Sequence, residues 1–310
     1  MTAVSHRRST GRGTRTVAAS KTLDVATLLR RLSARLQRAR LYYGHGTDNA
    51  RDDAAALIWH VMQLPREADE RIARRRVTAT HLAALEPLVQ RRIRERVPVV
   101  YLTQRCWFAG LEMYVDERVL IPRSPIAELI ERGFAPWVDP PAVRRVVDIG
   151  TGSGCIAIAC AVALPRAQVD AVDISPAALE VTRLNIRRHR LGQRVRPVLS
   201  DHFSALGQAS YDIIVSNPPY VGRREMASLP AEYRHEPELA LASGPDGLDS
   251  VRVLLAQAAQ RLRPRGILVV EVGNSERALR RAFPKLPFTW LEFERGGGGV
   301  FVLTREQLEF

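Results

Sequence analysis

From Arg144 onward, short runs rich in β-branched residues alternate with stretches of helical periodicity, and no other feature constrains the fold so tightly. Strands are expected at 145–149, 168–173, 195–200, 211–216, 267–272, 288–293 and 300–304. Helices are expected between the first five strands, at 155–164, 177–190 and 250–262, with a fourth at 275–283. Strands separated by helices form a parallel sheet covered on both faces, which is an α/β class. Only residues 294–299 separate the last two strands, too few for a crossover, so these two form an antiparallel hairpin. The expectation is a seven-stranded, mostly parallel sheet that ends in an antiparallel hairpin, unlike the all-parallel dehydrogenase sheet.

The preceding residues read differently. Leu23, Leu28, Leu29, Leu32 and Leu36, then Ala54, Leu57, Ile58, Val61 and Met62, then Leu82, Leu85, Leu88 and Ile93 recur at helical spacing. A small helical domain is expected over 21–97, with Asp48 or Asp52 capping its second helix and Pro65 stopping it. The run 99–115 is richer in β-branched and aromatic residues around Gly110 and predicts a hairpin, within a linker spanning 98–125. The α/β domain then covers 126–310, starting with a helix at Ile126.

Residues 1–20 hold four arginines and no acid and are expected to form a disordered basic tail. The formal net charge of +13 invites a polyanion partner, and Lys21 and Lys285 are the only lysines, a ratio that base composition explains equally well. The longest apolar runs fall short of the roughly 20 residues of a membrane-spanning helix. The scattered Cys106, Cys155 and Cys160 suit reduced thiols. A cytoplasmic, soluble protein follows as the expectation.

Asp148-Ile-Gly-Thr-Gly-Ser-Gly154 follows a strand and opens a helix, so that Gly150, Gly152 and Gly154 let backbone approach a ligand closely. Asp148, Thr151 and Ser153 of this loop join the three glycines as candidate cofactor contacts. The next strand ends in Asp173, about 20 residues on, where a carboxylate can hold both hydroxyls of a ribose. No P-loop lysine follows the glycines, which disfavours a nucleoside triphosphate and leaves NAD as a competitor. The third strand ends in Ser200-Asp201-His202-Phe203, where Asp201 can accept from an adenine amino group and His202 or Phe203 can pack on the ring, and the alternative for His202 is a plain surface loop.

Asn217, Pro218, Pro219 and Tyr220 stand where the fourth strand ends, beside the switch point at which open α/β sheets bind ligands. Two prolines cannot continue a ladder, so the loop is rigid with fixed carbonyl directions. A planar amide nitrogen is a poor nucleophile because its lone pair is delocalised. If the Asn217 side-chain oxygen and the Pro218 carbonyl each accept one N–H, that lone pair is held in one direction, and Tyr220 can stack on the amide plane. In-line attack on a sulfonium methyl then gains most from alignment and requires neither a general base nor a metal. No His or Cys cluster has metal-ligand spacing.

In this order, the glycine loop, the acidic strand end and Asn217 to Tyr220 resemble the S-adenosylmethionine-dependent amino methyltransferases, over roughly 144–310. That group methylates exocyclic amines of DNA adenine or glutamine amides in proteins. The helical N-terminal region, the run Val119-Leu-Ile-Pro-Arg-Ser-Pro-Ile-Ala-Glu-Leu-Ile130 and the run His235 to Leu248 resemble its protein glutamine methyltransferases. Release-factor enzymes usually read Pro-Arg-Pro-(Asp or Glu)-Thr-Glu where this chain has Pro122 to Glu128, and often carry Trp in place of His202. The stretches Tyr43 to Asn49 and Trp107 to Arg118, with the Arg123 to Ile130 run, look like the branch that modifies ribosomal large-subunit protein L-three. This resemblance implies a Rossmann-like methyltransferase sheet, S-adenosyl-L-methionine as cofactor and N(5)-methylglutamine as product, made during ribosome assembly. It also implies Asn217, Pro218, Pro219 and Tyr220 as catalytic residues and the N-terminal helices as the substrate-recognition domain. Ribosomal RNA near the substrate would reconcile a basic enzyme with a basic ribosomal protein. Release-factor methylation, DNA adenine methylation and a noncatalytic RNA-binding assembly factor stand as alternatives.

Overall fold

A computed structural model describes residues 23–65, 67 and 69–309, so the expected tail at 1–20 lies outside the described residues. The N-terminal region is built from α1 (Val25–Arg38), α2 (Ala50–Met62), α3 (Glu70–Ala73) and α4 (Ala79–Gln90), followed by a π-helical turn at Arg91–Glu95. Helix α1 starts because the Asp24 carboxylate accepts from the Thr27 N–H at 2.8 Å. It buries Leu28, Leu32 and Leu36 on one stripe. The cap of α2 is Asn49, not Asp48 or Asp52: its side-chain oxygen accepts from the N–H groups of Arg51 and Asp52. Asp52 instead sits in the first turn, where a carboxylate suits the positive end of the helix dipole.

The expected hairpin over 99–115 is half right. Val99–Thr103 forms α5, and the hairpin is confined to β1 (Cys106–Phe108) and β2 (Leu111–Met113), which turn through Ala109 and Gly110. All five α5 residues are buried, so packing overrides the strand preference of its β-branched side chains. Helix α6 (Ile126–Glu131) leads into the sheet.

The remaining elements are β3 (Arg145–Ile149), α7 (Cys155–Ala163), β4 (Gln168–Asp173), α8 (Pro176–Arg188), β5 (Val195–Leu199) and β6 (Tyr211–Ser216). They continue through α9 (Arg223–Met226), α10 (Asp249–Arg261), β7 (Leu262–Glu271), α11 (Glu276–Ala282), β8 (Thr289–Trp290), β9 (Val300–Thr304) and α12 (Arg305–Leu308). The seven strands run in the order β5-β4-β3-β6-β7-β9-β8. The first five are parallel, while β9 inserts antiparallel between β7 and β8. The seven-stranded α/β sheet with its antiparallel end is therefore as expected, although β8 shrinks to two residues. One edge strand is this short β8, and the other, β5, contains Pro197.

Alternate residues of each central strand enter different cores. Val146, Ile213 and Val269 face a cluster that runs without a break through α7 and the N-terminal helices. Val147, Ile214 and Val270 face a second cluster beneath α10 and α11. Strands β4 and β5 extend from β3 to one side, and β7 extends from β6 to the other, so the order reverses between β3 and β6. Cys106, Cys155 and Cys160 are free and buried, and among the described residues no helix is long and apolar enough to cross a membrane.

Candidate active site

The loops after β3 and β6 meet at the point where the strand order reverses. Ile149 pairs with Ser216, and the Ser216 hydroxyl donates to the Ile149 carbonyl at 2.6 Å. This fixes the glycine loop against Asn217. Gly152 has φ +55° with nothing within 4 Å of an added Cβ, so its backbone faces open space. Gly154, with φ +82° just before α7, is instead tight: a Cβ there would meet Thr182 at 3.0 Å.

A cavity of about 380 Å³ opens here, within the range of small-ligand sites. Gly150, Gly152, Asp173, Asp201, His202, Asn217, Pro218 and Pro219 all contribute to its wall. Ile174, half-exposed, adds an apolar surface beside Asp173.

Asp148, Thr151 and Ser153 are buried and act behind this wall. The Asp148 carboxylate accepts from the Thr151 hydroxyl at 2.6 Å and the Ala157 N–H at 3.1 Å, tying loop to helix. Burial, with the nearby Asp173 charge, pushes the Asp148 carboxyl up to about 7. Asp173 accepts from the Gly152 N–H at 2.8 Å and the Ser175 N–H at 2.9 Å, one on each oxygen. Each oxygen retains a second acceptor direction. Burial also raises its pKa.

His202 is held on both ring nitrogens, Nδ1 to Asp201 at 2.7 Å and Nε2 to the Ser250 hydroxyl at 2.8 Å. A carboxylate only accepts, so the neutral ring carries its proton on Nδ1. Asn217 lines the cavity, and its Oδ1 is buried without a hydrogen-bond partner among the described residues. Buried amide oxygens are rarely left so, because desolvation without a bond costs about 1–3 kcal/mol. The Tyr220 hydroxyl donates to Glu271 at 3.1 Å, and its ring leaves no room for a side chain at Gly273, where a Cβ would lie 2.6 Å from it. Glu271 retains one buried oxygen without a partner, and burial raises its pKa.

Residues 134–232 match the methyltransferase small domain family. A ribosomal protein uL3 glutamine methyltransferase of Neisseria meningitidis serogroup B is 46% identical over 292 residues, 94% of this chain and 96% of that protein. The chain belongs to the ribosomal protein uL3 glutamine methyltransferase family. A Neisseria gonorrhoeae relative of the same description is 45% identical, covering 94% of this chain and 97% of its own length. The hMettl16 catalytic domain, solved in complex with the MAT2A 3'UTR hairpin 6, shares the fold at TM-score 0.50 and 18% identity. That superposition covers 80% of this chain and 91% of the solved one.

In this member of the glutamine methyltransferase family, one residue outside the motifs named above ties two elements of the site together. Asn185 of α8 accepts from the Tyr114 N–H and donates to the carbonyls of Tyr114 and Ser153, bridging the hairpin to the glycine loop. Asn in a helix interior is the available signal, since its side chain is costly there unless bonded. Arg123 forms a two-pronged pair with Glu236, its second nitrogen at 2.7 Å. Glu128 instead accepts from the N–H groups of Glu294 and Arg295, anchoring the loop before β9. Among the described residues no group of three or more His, Cys, Asp or Glu is placed to hold a metal ion.

Proposed function

We propose that this chain transfers a methyl group from S-adenosyl-L-methionine to the side-chain amide nitrogen of a glutamine in ribosomal protein uL3. The supporting observation is Asn217 Oδ1, a buried acceptor without a partner in the wall of a cavity that the glycine loop leaves open. The cavity residues fit the donor: Asp173 has a free acceptor direction on each oxygen for two ribose hydroxyls, Ile174 offers an apolar face, and Asp201 and His202 stand at the adenine end. When bound, S-adenosylmethionine supplies an electrophilic methyl on a sulfonium.

Asn217 Oδ1 and the Pro218 carbonyl accept the two amide N–H groups, which orients the nitrogen lone pair and increases its density. The two prolines keep these acceptors from relaxing. Tyr220, pinned by Glu271, holds the loop rather than lining the donor cavity. As the nitrogen takes the methyl it becomes acidic, and its proton leaves to water, so the chain needs no dedicated base. The N-terminal helices serve as the substrate-recognition domain. The net charge of +13 suits an acceptor presented beside ribosomal RNA in a cytoplasmic assembly intermediate.

The test incubates the purified enzyme and labelled S-adenosylmethionine separately with uL3 and with a peptide release factor, and maps the product by mass spectrometry. Methylglutamine in uL3 alone is expected. Label in the release factor alone would overturn the substrate and keep the chemistry, and label in neither would reject free protein as substrate. Activity on an RNA-containing precursor no greater than on free uL3, with little response to salt, would reject the RNA contribution.

A further inference from the structure

One wall of the donor cavity is tied on two sides: just past the catalytic loop, the Val221 N–H donates to the Leu241 carbonyl, the Ser243 N–H to the Val221 carbonyl and the Arg223 N–H to the Gly244 carbonyl. Pro237, Leu239, Ala240, Ala242, Ser243 and Gly244 line it, and they follow a segment whose anchors lie in the N-terminal region and at Arg123 of the linker. Glu232, buried, accepts from the Tyr42 N–H at 2.9 Å, Arg92 Nη1 at 3.4 Å and Arg96 Nη1 at 3.5 Å. Arg92 is in turn fixed by Asp53 at 2.6 Å and by the Tyr42 carbonyl at 2.8 Å. Glu236, also buried, takes both prongs of Arg123 and has His45 Nε2 3.8 Å away. Between the two carboxylates, the Tyr233 ring meets His45 at 4.4 Å, and Arg123 lies 5.5 Å above it. His235 Nε2 reaches the Glu95 carbonyl at 2.8 Å.

Ion pairs buried this deeply contribute little net stability against apolar residues of equal volume, yet removing one partner is costly. Their geometric effect is to fix where the chain enters the wall at residues 237–240, while residues 241–244 are held by Val221 and Arg223. We infer that Glu232 and Glu236 are positioning residues for the methyl-donor cavity, holding the start of its outer wall on the N-terminal helices and, through Arg123, on the linker before α6, so that these parts and the cofactor site are energetically coupled. This rests on the methyltransferase reading above. Neither residue touches the reacting atoms. Coupling of this kind is reciprocal, so a substrate protein that braces the N-terminal helices tightens cofactor binding by the same factor.

The test is calorimetric titration of S-adenosylhomocysteine into the wild-type chain and into Glu236→Gln, Arg96→Gln and Glu86→Gln. Glu86 pairs with Arg35 on the exposed face of the same helices and serves as the control. Glu236→Gln is expected to weaken Kd about 10-fold and Arg96→Gln about 3-fold, with the control unchanged. KM for the methyl donor rises in step while kcat moves less than about 2-fold. A lower melting temperature with unchanged Kd would mean a merely structural role and overturn the inference. Should Glu236→Gln fail to fold, Arg96→Gln decides alone, its guanidinium being one-third exposed. A wild-type chain that binds no S-adenosylhomocysteine would refute the cofactor reading itself and take this inference with it.

Discussion

On the proposed function, Asn217 and Asp173 are expected to make separable contributions, one to chemistry and one to binding. Asn217→Ala removes one of two amide acceptors and is expected to lower turnover by on the order of 10²-fold, with cofactor affinity nearly unchanged. Steady-state kinetics beside a binding titration check this, and equal loss of both quantities would indicate disrupted folding instead. Asp173→Ala removes both ribose acceptors and also frees the Gly152 and Ser175 N–H groups. It is expected to raise the cofactor Kd most, and an unchanged Kd would remove Asp173 from the ribose site. Both positions were legible in the sequence because Asp173 ends β4 and Asn217 directly follows β6, two strands whose patterns are unambiguous. The partners of Tyr220 and Glu236 were not legible, because Glu271 and Arg123 come from distant parts of the chain and no local spacing records them.

Elements of the sheet were easier to read than those before it. β3, β4, β6 and β9 have the expected ends, since their apolar runs are bounded by turn residues or charge. Val99–Thr103 misled because β-branched residues favour strands only where a pleated surface receives them, and here all five side chains pack as a helical turn. Two substitutions probe element ends. Asn49→Ala deletes the α2 cap and is expected to cost about 1 kcal/mol, seen as a fall of about 2 °C in melting temperature. Gly273→Ala, at φ +45° two residues past the end of β7, drives a methyl into the Tyr220 ring. Its expected signature is a fall in kcat larger than the shift in melting temperature, and full activity would free Tyr220 from a role in fixing the catalytic loop.

For the whole molecule, two buried groups give opposite responses to pH. His45 is pushed down to about 3, by burial first and then by the positive charges of Arg123, Arg92 and His235; Tyr42, Tyr233 and Glu236 also face it. Between about 3 and 6.5 the unfolded chain therefore binds more protons at this site. The His45 contribution is present above 6.5 and is lost as pH falls through that window. Asp148 is raised to about 7, so between about 4 and 7 the folded chain holds the extra proton, and its contribution is lost as pH rises. Denaturation of His45→Phe and Asp148→Asn across pH 4–7 checks both. The stability difference, wild type minus variant, is expected to climb with pH for His45 and to fall with pH for Asp148, and parallel curves would refute the assignment.

The sheet ends on one side in a strand of two residues and on the other in a strand that contains Pro197, which has no N–H to offer, and whose neighbour Arg196 is paired to Asp170 at 2.8 Å. Neither margin offers a long row of free backbone donors and acceptors to template another chain. A protein built this way gives a neighbouring copy little backbone to extend, which disfavours strand-by-strand polymerisation.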